Sequence, residues 1–303
     1  KTSYYIPETM WEGVSALKKK RPCLIVGFEE LKDFSATRVA RGLTSQWPGL
    51  RRLNIRLKGM AKASSLVSGD ILARDMETAD NVEKLVHLIG PHVKDAETVG
   101  LPAVLGMRRP REVIEKLSRE LGAKVFEIPT TPLSVPGLRL NEAFTQGLAE
   151  RGVKLFFPER ILSWERGNDG TILLTMGQGV RKRWIRAEGV ILATGRFWAH
   201  GLRADRDKIR ETLFDLPVHQ PEKRDEWHRE DFLDLQGHPA NQAGLTIDNQ
   251  FRPLNRDGGP ALEKLFAAGS ILAHQDWMRM KCGSGLAISS AYAAVKAFSN
   301  MRK

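Results

Sequence analysis

The stretch Leu265-Phe266-Ala267-Ala268-Gly269-Ser270 decides the fold class of this chain. It is a short apolar run that ends at a glycine, which predicts a buried strand stopped by a tight turn. Cys282-Gly283-Ser284-Gly285 follows it and opens a segment rich in small residues, which predicts a helix. Glycines at a strand end and amides at a helix N-terminus both favour the close approach of an anionic or flat ligand. Together they indicate a nucleotide cofactor.

A second run of the same kind lies upstream, Gly189-Val190-Ile191-Leu192-Ala193-Thr194-Gly195. Taken alone, it is equally well explained as a buried strand and a turn. The Gly167-Asn168-Asp169-Gly170 turn, however, indicates an antiparallel meander before it. The strands expected there lie at 153–157, 161–165, 171–175 and 183–187. A meander followed by two glycine-ended strands is typical of flavoproteins with two dinucleotide-binding domains.

Strand and helix signals alternate between residues 21 and 128, which predicts an α/β domain with a parallel sheet. Apolar runs predict strands at 23–28, 53–57, 99–106 and 124–128. The first helix is expected after a cap at Asp33 or Ser35, and Pro48-Gly49 would stop it. The segment 64–89 is expected to be largely helical, and a further helix should run from Pro110 to Leu121 before Gly122.

Three prolines within residues 129–137 predict an irregular connection between domains. The sequence therefore divides into a tail or connector at 1–21, an inserted α/β domain at 22–130 and the C-terminal part of a flavin-binding domain at 131–303. Within the last part we expect an amphipathic helix at 138–151, a polar and partly helical segment at 196–242, and a short hairpin at 244–253.

The composition excludes several classes of protein. With 42% hydrophobic and 27% charged residues, the chain is typical of a globular protein, and no apolar run approaches the roughly 20 residues that span a bilayer. Two cysteines, Cys23 and Cys282, fit a reducing cytoplasm. The net charge of +11 would suit nucleic acid, but the basic clusters lack aromatic interleaving and motif spacing. A solvated surface is favoured, with an anionic substrate or an acidic membrane face next, and no nucleic-acid partner is expected.

The closing loop also carries the candidates for catalysis. His274 and Asp276 are the acid–base groups nearest to the expected cofactor, although a lone loop histidine is most often a surface residue. Arg279 and Lys281 flank the glycines, where a positive charge would stabilise an anionic reduced flavin. An exposed basic loop explains them equally well. We take His274 and Lys281 as the catalytic candidates.

One expected motif is absent. No Gly-x-Gly-x-x-Gly turn, which receives a pyrophosphate, occurs in the sequence, and Gly177-Gln178-Gly179 lacks the third glycine. Either the chain lacks its N-terminal cofactor-binding strand and helix, or it binds flavin weakly. Walker, Gly-x-Ser-x-Gly and His-Glu-x-x-His motifs are also absent, and the histidine spacing does not indicate a structural metal.

Several segments from about Pro22 onward resemble one family of flavoproteins. They are Leu24-Ile25-Val26-Gly27-Phe28, Asp33-Phe34, Pro129 to Leu140 with Pro132, Ser134-Val135, Gly137 and Arg139-Leu140, Gly201-Leu202, Ile209-Arg210-Glu211, Phe266-Ala267-Ala268-Gly269-Ser270 and Cys282-Gly283. In these segments the chain is similar to the B subunits of anaerobic glycerol-3-phosphate dehydrogenase, flavoproteins of the FAD-binding fumarate reductase type. Since family members begin with the missing glycine turn, the resemblance implies an N-terminally truncated chain.

The resemblance implies a flavin, either FAD or FMN. By position it would be lined by Thr194, Gly195, Gly269, Ser270, Gly283, Ser284 and Gly285. If the cofactor is FAD, the backbone of Ile161 would contact the adenine edge. Lys281 and Ser284 depart from the glycine pattern of the family, and we expect these departures to alter flavin affinity or the electronics of the ring.

The resemblance also implies a reaction and partners. The complex would oxidise glycerol 3-phosphate to dihydroxyacetone phosphate and pass electrons toward the quinone pool. A catalytic A-type flavoprotein subunit and a membrane-bound iron–sulfur subunit would hold this chain on the cytoplasmic membrane face. Two alternatives remain open: another fumarate reductase-type dehydrogenase or reductase, and a non-catalytic assembly subunit with a vestigial flavin site.

Overall fold

The computed structural model describes residues 6–57, 67–131, 134–177 and 179–301. The chain divides into two compact units, Ile6–Leu155 and Phe156–Lys303, which we call the N-terminal unit and the C-terminal unit. These bounds differ from the domains expected from the sequence, because residues 6–21 and 131–155 both belong to the N-terminal unit.

A four-stranded parallel sheet forms the centre of the N-terminal unit, in the order β2-β1-β3-β4. The strands are β1 Cys23–Phe28, β2 Leu50–Ile55, β3 Thr98–Pro102 and β4 Lys124–Ile128. The helices are α1 Trp11–Lys19, α2 Ala36–Leu43, α3 Gly69–Asp75, α4 Ala79–Val93, α5 Pro110–Leu121 and α6 Val135–Glu150. Every residue of β1 and β3 is buried, as expected of central parallel strands. The parallel α/β sheet expected from the sequence is confirmed.

Local chemistry accounts for the helix ends that were predicted well. Ser35 caps α2, since its hydroxyl accepts a hydrogen bond from the amide of Arg38 at 3.3 Å. Proline opens α5, and Gly122 follows it with φ of 64°. The strand expected at 53–57 begins earlier, at Leu50. Because β2 is an edge strand, it tolerates the half-buried Arg51 and the exposed Arg52, which an apolar pattern does not reveal.

The segment expected to be a tail is structured from residue 6. Helix α1 packs against β3 and β4, and its Ala16 is fully buried. The carbonyl of Arg21 accepts a hydrogen bond from Trp47 Nε1 at 2.7 Å, and its guanidinium pairs with Glu12. The sequence pattern predicts a tail because this charged helix buries only a narrow face. Residues 1–5 of that expected tail lie outside the described residues.

Two further expectations were wrong. Helix α6 begins at Val135, inside the expected irregular connection, because Pro136 lies in the first turn, where a missing N–H breaks no helical bond. Pro132 and Leu133 of that connection lie outside the described residues. No strand forms at 153–157, where every residue is exposed and the side chain of Phe157 is 93% exposed. An apolar run forms a strand only where a neighbouring strand pairs with it.

A buried ion pair ties α6 to the sheet of the N-terminal unit. Arg139 donates to both carboxylate oxygens of Glu127, at 2.6 and 2.8 Å, and the side chain of Glu127 is fully buried. The same carboxylate accepts the amide of Leu105 at 2.8 Å, while Arg139 Nε donates to the carbonyl of Gly106 at 2.9 Å. One pair therefore joins β4, the loop after β3 and α6.

Short strands and one long helix build the C-terminal unit. The strands are β5 Ile161–Arg166, β6 Ile172–Met176, β7 Arg183–Ala187, β8 Val190–Leu192, β9 Leu202–Ala204, β10 Ile209–Glu211 and β11 Leu265–Ala267, and the helix is α7 Gly283–Met301. An antiparallel meander joins β5, β6 and β7, whereas β8 pairs in parallel with β11. The predicted meander, its two following strands and the closing helix are confirmed.

The polar segment 196–242 contains a β9–β10 hairpin and two short 3-10 helices, so it is helical only in these short turns and contains no α-helix. Trp227 anchors it: its ring is 2% exposed and lies 4.1 Å from the Arg224 guanidinium. The buried carboxylate of Glu211 accepts the amides of Leu213 and Phe214, at 2.9 and 2.6 Å. Tertiary burial, and not helical periodicity, organises this segment. The hairpin expected at 244–253 has an antiparallel bridge between Ile247 and Pro253.

The substitution Glu127→Gln tests the buried pair. We expect the free energy of unfolding to fall by about 3 kcal/mol, because the guanidinium of Arg139 would stay buried without its counter-charge. Hydrogen exchange of β4 and residues 103–106 measures this loss locally. The control Glu83→Gln breaks an exposed pair with Lys116 at 3.0 Å and should cost about 0–1 kcal/mol. Equal losses in the two variants would contradict the assignment.

Candidate functional site

The two glycine-ended strands lie side by side in the C-terminal unit. Parallel pairing joins Val190 to Leu265 and Leu192 to Ala267, and the amide of Ala268 donates to the carbonyl of Leu192 at 3.1 Å. The turns that follow both strands therefore lie at the same edge. This is the carboxyl edge of a parallel pair, where nucleotide cofactors bind in α/β folds.

The glycines in these turns have specific backbone roles. Gly195 and Gly269 have φ of 67° and 78°, values that favour glycine. A methyl group added at Gly195 would lie 3.5 Å from Ser270 Oγ, so the two turns lie close together. A methyl group at Gly201 would lie 2.1 Å from the carbonyl oxygen of Gly195 and 2.6 Å from Thr194 Oγ1. Because Gly201 has no side chain, the Thr194–Gly195 turn can lie against its backbone.

The hydroxyl of Thr194 is buried and has no hydrogen-bond partner in the part of the chain that the structure describes. A buried polar group without a partner costs free energy unless something outside the chain satisfies it. It lies in the turn after β8, close to the backbone of Gly201, and Gly195 in the same turn lets the backbone approach a ligand closely. The residues present therefore fit part of a flavin nucleotide site.

Helix α7 is fastened to the second turn. The amide of Gly269 donates to Ser290 Oγ at 2.8 Å, and the 3-10 turn Gly269–Ile271 packs against α7. The helix begins at Gly283, where an added methyl group would lie 3.3 Å from the ring of Trp277. The structure therefore joins Gly283, Ser284 and Gly285 to the element that carries Gly269 and Ser270.

Arg196 is the residue that sequence reasoning missed. Its guanidinium donates to the carbonyls of Ser270, Leu272 and Gln275, at 2.6, 2.9 and 2.9 Å, and also to the carbonyl of Asn241. Burial lowers its pKa from the ordinary value, and the charge of Asp276 acts in the opposite sense. It thus holds the loop after β11 against the turn after β8. Its position directly after Thr194-Gly195 was the only signal in the sequence.

The first catalytic candidate, His274, lies beside a second histidine. His274 is exposed with φ of 62°, and its ring centroid lies 4.1 Å from that of His219. Burial and the charge of His274 lower the pKa of His219. Sequence reasoning placed His219 only in the polar segment, since no local signal pairs two residues this far apart.

The basic loop contains one cation that has a charge partner, Arg279, and one that has none among the described residues, Lys281. Asp276 is buried; its carboxylate accepts from the side-chain amide of Asn241 at 3.3 Å and lies 3.5 Å from Arg279 Nε. These contacts give Asp276 and Arg279 a structural role. Lys281 is exposed with φ of 54°, and no described residue forms a hydrogen bond or ion pair with it.

Ile161 lies at the start of β5, opposite Met176. Within the described ranges, no hydrogen bond joins it to the two glycine turns. Its role at an adenine edge stays a prediction.

Metal-ligand clusters and membrane-spanning helices are both missing from the described ranges. No group of three or more His, Cys, Asp or Glu side chains there is arranged to hold a metal ion. None of the helices described combines the length and apolar character needed to cross a bilayer.

Residues 8–286 match the family described as FAD binding domain. The chain belongs to this family. The match favours FAD over FMN, the choice that the sequence had left open. It also fits the parallel strands and glycine turns described above.

Named relatives agree with the resemblance seen in the sequence, which is thereby confirmed. The chain is 33% identical over 298 residues to a protein of Halobacterium salinarum named as the probable B subunit of anaerobic glycerol-3-phosphate dehydrogenase, covering 90% of this chain and 66% of that protein. It is 29% identical to the B subunit of the anaerobic glycerol-3-phosphate dehydrogenase of Vibrio vulnificus, covering 74% and 51%. The protein of the same name in Pectobacterium carotovorum is 29% identical, covering 88% and 63%. The chain thus spans just under two thirds, or less, of the length of these relatives.

The substitution Arg196→Lys tests the role of the guanidinium. A lysine keeps the charge but cannot donate to four carbonyls at once. We therefore expect the free energy of opening this loop to fall by about 2–3 kcal/mol. Hydrogen exchange of residues 268–276 should show the loss. Arg203→Lys, on the exposed face of β9, is the control and should change stability by less than about 0.5 kcal/mol. Unchanged exchange in Arg196→Lys would show that the loop is held by other contacts.

Proposed function

We propose that this chain is part of a flavin-dependent oxidoreductase subunit that takes part in the oxidation of glycerol 3-phosphate to dihydroxyacetone phosphate, with electron transfer toward quinone. The observation that carries the proposal is the pair of glycine turns at the carboxyl edge of β8 and β11, with the buried, unpartnered hydroxyl of Thr194 in the first of them. Membership of the FAD binding domain family supports the cofactor, and the names of the relatives support the substrate.

The proposed flavin-binding residues all belong to the C-terminal unit. The backbones at Thr194, Gly195, Gly269 and Ser270 would hold the cofactor at the strand ends, and Gly283, Ser284 and Gly285 would present amides at the start of α7. Ile161 would meet the adenine edge through its backbone. The α/β sheet of the N-terminal unit would be an insertion into the flavin-binding fold.

Bound FAD supplies a two-electron acceptor for the oxidation of an alcohol. The unpaired ammonium of Lys281 would stabilise negative charge that develops near it. The exposed imidazole of His274, beside His219, is the acid–base group that would exchange a proton at this site. Arg196 would act only through the loop, by fixing the carbonyls of Ser270 and Gln275.

The proposed partners follow from the naming of the relatives as subunits. A catalytic A-type flavoprotein subunit would hand electrons to this chain or receive them from it. A membrane-bound iron–sulfur subunit would connect the complex to the quinone pool and hold it at the cytoplasmic face of the membrane.

The substitution Gly201→Ala tests the cofactor site in the full-length protein. The added methyl group would push the Thr194–Gly195 turn away, so we expect the flavin Kd to rise by about 10-fold or more. Flavin absorbance after gel filtration measures retention. Gly259→Ala is the matched control, because its methyl group would meet only Asn255, at 3.9 Å. A correctly folded full-length wild type that retains no flavin would overturn the enzyme proposal and favour an assembly subunit.

The substitution Lys281→Met tests the role of the unpaired charge. Loss of the ammonium should make the flavin potential more negative by about 30 mV, which corresponds to about 1.4 kcal/mol for two electrons. Spectroelectrochemistry of the full-length protein measures this potential, with Lys296→Met on the exposed side of α7 as the control.

A titration of the full-length protein with substrate should show reduction of the flavin by glycerol 3-phosphate only with the partner subunit present. Reduction by a different organic acid instead would favour another dehydrogenase of the same type.

A further inference from the structure

A basic cavity of about 470 Å³ lies against the edge strand of the sheet in the N-terminal unit. Its charged lining comes from the end of α2, the first half of β2 and the end of α4. The lining cations and the imidazole are Arg41, Arg51, Arg52, His92 and Lys94. No carboxylate is among the described residues that line it. This volume falls within the range of about 300–1,000 Å³ that small-molecule sites occupy.

The arginine nearest to α4 is already engaged. Arg51 donates to the carbonyls of His92 and Val93, at 3.3 and 2.7 Å, and lies 3.4 Å from the exposed carboxylate of Asp95. It therefore neutralises the negative end of α4 and shapes one wall of the cavity.

The other three cations have no such partners. Within the described ranges, the side chains of Arg41, Arg52 and Lys94 form no hydrogen bond or ion pair. Three like charges around one cavity repel each other, and an anion placed among them would relieve that repulsion. The cavity thus favours a negative ligand.

The backbone of Lys94 supplies an independent observation. This residue ends α4 with φ of 46° and ψ of −116°, a conformation that costs free energy for any residue with a side chain. Glycine is the residue that adopts a positive φ of this kind without steric cost. A lysine there places an ammonium at the cavity despite a strained backbone, and strain of this kind concentrates at ligand sites.

We propose that this cavity binds the phosphate group of a small organic phosphate. Guanidinium groups match phosphate oxygens in bidentate geometry, and the lysine adds a point charge. Leu24, Leu50 and Leu53 also line the cavity and would contact the carbon part of the ligand.

The position within the sheet makes this a site beyond the proposed function. Leu24 and Leu50 lie at the amino-terminal halves of β1 and β2, whereas substrates and cofactors of open α/β sheets bind beyond the carboxyl ends. The ligand would therefore regulate or localise the protein. A phosphate group could come from a soluble ester or from a lipid headgroup, and the two sources can be separated by experiment.

Calorimetric titration of the full-length protein tests the site. The ligands are inorganic phosphate, glycerol 2-phosphate, which is not the proposed substrate, and vesicles that contain phosphatidic acid. We expect saturable binding that weakens as salt increases. Binding of glycerol 2-phosphate would identify a soluble ester as the source, and binding of vesicles alone would identify a headgroup. No binding of any of the three would overturn the proposal.

Variants assign the binding to this cavity. Arg41→Ala and Arg52→Ala should each weaken binding by about 10-fold, because each removes one charged donor to phosphate. Lys84→Ala, an exposed lysine on α4 outside the cavity lining, is the matched control and should bind as the wild type does.

The most discriminating variant is Lys94→Gly, because its two readouts separate backbone strain from ligand binding. Glycine relieves the backbone strain, so the Tm should stay the same or rise, while phosphate affinity should fall by about 10-fold. A merely structural lysine would show the rise in Tm with unchanged affinity. That outcome, or wild-type affinity in both arginine variants, would overturn the proposal.

Discussion

The guanidinium of Arg196 is the interaction on which the C-terminal unit depends. The strands β8 and β11 have only three residues each, too few for their ladder alone to hold two turns in register. Arg196 follows β8 directly and donates to three carbonyls of the loop after β11. One planar group thus holds together the edge at which the turns after β8 and β11 lie, and the proposed flavin site is at this edge.

The N-terminal unit has the same design with a different pair. Glu127 and Arg139 join a strand, a loop and a helix through one buried contact, and both residues satisfy backbone groups as well as each other. Such a pair favours one arrangement of the strand, loop and helix. In any other arrangement, a charge would lie in the low-dielectric interior without its partner, which costs free energy. In both units, therefore, an arginine fixes the loop that follows a parallel strand.

Features that depend on neighbouring residues could be predicted from the sequence, whereas features that depend on distant residues could not. Ser35, Pro110 and Gly122 act on their nearest neighbours, so the helix ends they control could be predicted from the sequence. The apolar run at 153–157 was misread because a strand needs a partner, and pairing is not a local property. The proline-rich connection was misread because the effect of proline depends on whether it falls in the first turn of a helix.

By itself the sequence determined the alternating α/β class, the meander and the two glycine-ended strands, because periodicity and turn chemistry are written in adjacent residues. It also carried the family resemblance. Only the tertiary structure decided that Arg196 clamps the loop, that His219 lies against His274, and that Arg41, Arg52 and Lys94 surround one cavity. These residues are far apart along the chain, and charge or ring contacts between them arise only once the strands and helices have packed.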